Sequence, residues 1–70
     1  MKELERAKNN IVHYFIVQYG FAPAKKNIIP LESSSNNGII EHLAFRVGNI
    51  GYFYTLGQGV VPSPVYDKPL

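Results

Sequence analysis

Residues 41–56 constrain this chain more than any other stretch. Leu43, Phe45 and Val47 alternate with His42, Ala44 and Arg46. The pair Gly48-Asn49 follows, and then Ile50, Tyr52, Tyr54 and Leu56 alternate with Gly51, Phe53 and Thr55. Period-two alternation on both sides of a two-residue turn signal is the pattern of a β-hairpin. Glycine and asparagine both tolerate the positive φ that such turns demand. The turn fixes the register, so Val47 faces Ile50, Phe45 faces Tyr52 and Leu43 faces Tyr54. These six side chains are expected to form the core face. Ile40, His42, Ala44 and Arg46, opposite Thr55, Phe53 and Gly51, are expected on the other face, because side chains alternate across a strand.

The spacing of Leu4, Ala7, Ile11, Tyr14 and Phe15 predicts an amphipathic helix over residues 2–19. Gly20 is placed for a left-handed ending, with Phe21 reaching back to Ile16 in a Schellman arrangement. Pro23 prevents the helix from resuming. Val12 and Ile16 lie a right angle or more from the main stripe, and Val17 lies further round beside His13. The C-terminal half of the helix is therefore apolar on nearly every side, and one sheet covers only one side.

Residues 27–32 predict a short strand, at an edge because Pro30 has no backbone donor. Residues 33–38 read as a polar loop ending in an Asn-Gly turn. Ile39 to Val47 and Ile50 to Leu56 are the hairpin strands, and Val60-Val61 can add a brief fourth. Pro62 and Pro64 then stop regular pairing. Residues 62–70 read as an extended arm, with Val65 and Tyr66 docking and residues 67–70 frayed. The expected architecture is α+β, one domain in which the N-terminal helix packs on an antiparallel β-meander of three strands, or four, over residues 27–61.

Size limits what such a fold can bury. A chain of 70 residues hides only ~60% of its unfolded surface. Small domains compensate with disulfides, metals or oligomerisation. The chain has no cysteine, which excludes disulfides and thiolate metal sites. His13, His42 and five carboxylates are a poor pool for a four-ligand zinc site. No metal or cofactor is expected, and oligomerisation remains. The sequence shows no export signal and no apolar run of the ~20 residues that a membrane span needs. A soluble, cytoplasmic chain is the expectation.

Charge is lopsided. Residues 1–26 carry five cationic side chains against two carboxylates, and residues 27–70 carry two against three. Lys25 and Lys26, with Lys8, are the candidate phosphate contacts, although so few lysines neutralise little charge. Ser33 to Ser35, His42 and Asp67 supply the residue types of a hydrolytic triad without a nucleophile-elbow pattern, so catalysis is not expected. Phe53, Arg46 and His42 together make an interaction surface. Phe53 lies diagonal to Arg46, within reach of a cation–π contact.

These features point to a small non-catalytic intracellular interaction protein, an adaptor or inhibitor of another macromolecule. His42, Arg46 and Phe53 are the candidates for partner binding, with another protein as the expected partner. Val12, Ile16 and Val17 are the candidates for homo-oligomer formation. The alternative is a single-stranded nucleic-acid binder that stacks a base on Phe53. The C-terminal arm has two places to go, the apolar helix surface or the open sheet face, and the sequence leaves both open.

Overall fold

The computed structural model describes residues 2–69. Helix α1 spans Lys2–Tyr19, and a 3-10 turn follows at Lys25–Asn27. Strands β1 (Ile28–Asn36), β2 (Ile39–Val47), β3 (Ile50–Thr55) and β4 (Gly59–Pro62) come next. A second 3-10 turn, Pro64–Tyr66, is the last regular element. The strands form one antiparallel sheet in the order β1-β2-β3-β4, with α1 across one face. This is the α+β meander expected, with the fourth strand present. Among the described residues no helix is long and apolar enough to cross a membrane.

The helix buries Ala7, Ile11 and Phe15, three positions of the predicted stripe. Its ending differs in detail from the Schellman form. The Gly20 N–H donates to the Ile16 carbonyl at 3.1 Å and to the Phe15 carbonyl at 3.0 Å, with Gly20 at φ 80°. This is the simpler left-handed cap. The Phe21 ring accordingly meets Phe15, at 5.3 Å between centroids. The Gln18 amide clasps β4, donating to the Val60 carbonyl at 3.1 Å and accepting from the Val60 N–H at 2.9 Å.

The β2–β3 register is the one the sequence predicts, with Val47 opposite Ile50, Phe45 opposite Tyr52 and Leu43 opposite Tyr54. Only Gly48 of its turn uses positive φ, at 63°, whereas Asn37 and Gly38 of the first turn both do, at 53° and 75°. A two-residue turn makes its flanking pair hydrogen-bonded. The backbone groups of Ala44 and Arg46 therefore point to β1, and Ile29, opposite Arg46, bonds back. Pro30 falls between bonded positions, so its missing donor faces the open edge. The core gathers Ala7, Ile11, Phe15, Ile28, Ile40, Leu43, Phe45, Tyr54 and Val60.

Four expectations need correction. First, β1 runs from Ile28 to Asn36, so residues 33–36 are strand and only Asn37-Gly38 turns. Serine and asparagine are weak strand formers, but pairing with β2 overrides that preference. Second, Ile40 belongs to the core and not to the outer face. The ladder shifts between Ser34 and Ser35, which pair with His42 and Ile40. Glu41 is the extra residue of this bulge, and a bulge re-aims what precedes it. Third, Ile50 sits on the core side but is 52% exposed, because it lies at the hairpin end. Fourth, the arm is not extended throughout: it coils at Pro64–Tyr66, leaves Val65 exposed rather than docked, and holds residues 67 and 68 docked and not frayed, as described below. Leu70, the last residue of the expected arm, lies outside the described residues.

Candidate functional site

Strand β4 ends with Pro62 opposite Tyr52. The β3 edge beyond it, at Gly51 and Asn49, has lost its neighbour, and the C-terminal arm fills the gap. The Ser63 N–H donates to the Gly51 carbonyl at 2.9 Å, and the Lys68 N–H donates to the Asn49 carbonyl at 3.0 Å. The Gly51 N–H in turn donates to the Asp67 carboxylate. Between these anchors the arm coils into its 3-10 turn, and the Tyr66 hydroxyl donates to the Glu32 carboxylate of β1 at 2.8 Å. The arm thus straps the outer sheet face from β3 to β1.

Gly51 makes this possible. A Cβ there would stand 2.6 Å from the Tyr66 Cβ and 2.7 Å from the Ser63 carbonyl oxygen. No side chain fits without moving the arm. Gly51 and Ala44 on this face are buried. Arg46 is half-buried, and its Nε is fully enclosed with no hydrogen-bond acceptor. An orphaned donor of this kind costs ~1–3 kcal/mol. The bond to Glu32 raises the pKa of the Tyr66 hydroxyl above its ordinary 10.0, helped by burial and the Glu32 charge. Burial raises that of Tyr52, with smaller contributions from Tyr19 and Asp67.

The predicted partner residues are divided by this arrangement. His42 and Phe53 stack on each other, with centroids 5.6 Å apart and planes 20° from parallel. They edge a shallow depression of about 270 Å³ with Glu32, Ser33 and Ser34. The ring partner of Phe53 is therefore the His42 imidazole and not the Arg46 guanidinium. Lys25 lies on the opposite side of the sheet, where its Nζ donates to Asn9 of α1 at 2.8 Å. Lys26 is exposed in the same turn. The structure does not bring these lysines to the His42–Phe53 face. Ser34 is the cross-strand partner of His42, but Asp67 is engaged with Gly51, at the level of Arg46 four residues further along β2. Among the described residues no group of three His, Asp or Glu side chains could share a metal ion.

The second candidate surface lies at the end of α1. Ile16, Val17 and Phe21 are 52%, 67% and 50% exposed. Val12 differs from them, since it is half-buried and packs on the core. Consecutive helical residues diverge by roughly 100°, so Ile16 and Val17 present two neighbouring faces. A second concavity, about 250 Å³, opens between the start of α1 and β1, with Leu4, Pro30, Leu31, Ile40 and Leu43 among its lining. At the other end of the helix Gln18 is bonded to β4, at the opposite margin of the sheet.

Sequence reasoning missed Glu32, Gly51, Tyr66 and Asp67 as one constellation. The available signal was Gly51, since glycine inside a strand marks close approach of another backbone. Set against known family models, curated proteins and solved structures, the chain matches none.

Proposed function

We propose that this protein is a small non-catalytic interaction protein, an adaptor or inhibitor that associates with itself and engages another protein. One observation carries the self-association. Ile16, Val17 and Phe21 stay exposed at the end of α1, while the arm that could have covered them is tied to the opposite face by Gly51, Asn49 and Glu32. Clustered apolar surface of this kind marks an association site, and a domain this small gains stability from a second copy. The outer face around His42, Arg46 and Phe53 is the partner surface in this reading. A cytoplasmic location belongs to the same proposal and accords with a chain free of cysteine.

Light scattering on a size-exclusion column, over a wide dilution range, tests the proposal. The wild-type chain is expected to run as a dimer or larger. Ile16→Glu and Val17→Glu, both at exposed positions, are expected to remain folded and to dissociate at concentrations at least tenfold higher. A wild-type chain that is monomeric throughout removes self-association.

A second reading, single-stranded nucleic-acid binding, is supported by the stacked His42–Phe53 pair alone. It requires that Phe53→Ala abolish binding of a dT oligomer with little loss of stability, and that binding weaken steeply with salt. A Phe53→Ala chain that unfolds makes Phe53 a packing residue and ends this reading.

A further inference from the structure

We infer that the arm occupies in cis a docking groove for a peptide of a partner protein, one that presents an aromatic residue followed by an acidic one. The inference rests on the reading of the outer face as a partner surface and names the chemistry of that partner.

The groove has four parts. The first is an unpaired strand edge, where the Gly51 N–H and the carbonyls of Gly51 and Asn49 face outward beyond the end of β4. Main-chain hydrogen bonds to such an edge are a recurring source of affinity in peptide recognition. The second is the missing side chain at Gly51, which lets another backbone approach to contact distance. The third is the Glu32 carboxylate at the β1 wall, which accepts a phenolic hydroxyl. The fourth is Arg46, whose Nε is enclosed without an acceptor.

The present occupant shows what the groove recognises. Tyr66 supplies the hydroxyl for Glu32, and Asp67 supplies the carboxylate for the Gly51 N–H. The occupant is also incomplete. It gives Arg46 Nε nothing to donate to, and Val65, between its anchors, is 86% exposed. Its hold comes from tethering, since a segment joined by a short linker competes at millimolar effective concentration. A partner peptide with the same aromatic-acidic pair and one further acceptor over Arg46 satisfies the Gly51 N–H and Arg46 Nε together and displaces the arm. The two charges of the groove divide the labour, because Arg46 complements the acidic residue and the Glu32 carboxylate takes the neutral phenol.

The test uses the full chain carrying Tyr66→Ala and Asp67→Ala together, with nuclear magnetic resonance of the Gly51 amide as the readout. The probe is a synthetic peptide of the arm sequence Pro-Ser-Pro-Val-Tyr-Asp-Lys-Pro. In the double variant the Gly51 amide is expected to shift and to exchange with solvent at least tenfold faster. Added peptide is expected to restore both, and a peptide with alanine for its tyrosine and aspartate is not. The wild-type chain, already occupied, is expected to ignore the peptide at the same concentrations. Asp67→Asn alone, whose amide oxygen still accepts from the Gly51 N–H, serves as a control that keeps the arm seated and, like the wild type, is expected to ignore the peptide. An unchanged Gly51 amide in the double variant, or no restoration at millimolar peptide, overturns the inference. Restoration by a dT oligomer and not by the peptide overturns it in favour of nucleic acid. A wild-type chain found monomeric by light scattering leaves the result intact, because that measurement reads the helix end.

Discussion

On the helix side of the sheet the seal is made of side chains. Phe15 alone meets the rings of Tyr19, Phe21, Phe45 and Tyr52 at 5.0–6.1 Å, and nine residues close into one core. On the outer side the seal is made largely of backbone. A short arm holds on through Gly51 and Asn49, with Tyr66 and Asp67 as its two side-chain anchors. Apolar burial contributes ~1.5–3 kcal/mol per large side chain, whereas a typical hydrogen bond nets only ~0.5–1.5 kcal/mol. The helix face therefore holds the fold together, and the strapped face is the one that can open while the fold persists.

Three substitutions can break or sharpen that contrast. Phe15→Ala should have the largest effect, a loss of ~3–5 kcal/mol, read from the midpoint of chemical denaturation. A loss under ~1 kcal/mol would mean that the helix is not the main seal. Gly51→Ala should come next, at ~1–3 kcal/mol. It should also free the arm, seen as rapid exchange of the Lys68 amide while the core amides stay protected. If core and arm amides lose protection together, the two faces are one cooperative unit and the contrast fails. Tyr66→Phe should have the smallest effect, present at neutral pH and fading in alkali. The bond to Glu32 raises the Tyr66 pKa above 10.0 in the folded chain. Its contribution is thus full below pH 10 and is lost as pH rises through the higher folded value. Tyr52, raised by burial, adds to the same alkaline loss. The Tyr66→Phe chain should be slightly less stable than the wild type at neutral pH, and the two should converge above about pH 10. Identical curves would place the Tyr66–Glu32 contact outside the energetics of the strap.

The same contrast explains what the sequence made legible. The hairpin around Gly48-Asn49 was readable because a short turn and strict alternation specify register together. The helix was readable because its stripe repeats for four turns. Ile40 was misplaced because a bulge at Glu41 adds a residue without marking the alternation. The serine run was misread because its residue types prefer loops, and only the ladder from β2 makes it strand. The arm was the least legible part. Its docking depends on where β4 happens to stop and on an absent Cβ at position 51, and neither leaves a periodic trace. The candidate site inherits that difficulty, since Glu32, Gly51, Tyr66 and Asp67 come from three separate stretches of chain and meet only after folding.

The bulged course of β1 has a consequence for behaviour in concentrated solution. A nine-residue strand at a sheet margin is a template on which further chains can stack into fibrils. Here the template is spoiled in its first half. Pro30 removes one donor from the free side, and Leu31 is an extra residue where the ladder slips between Pro30 and Glu32. A straight incoming strand finds no run of evenly spaced partners. Straightening β1, with a donor restored at position 30 and Leu31 deleted, would convert a sheet that ends into one that grows, and aggregation would follow without any change in the core.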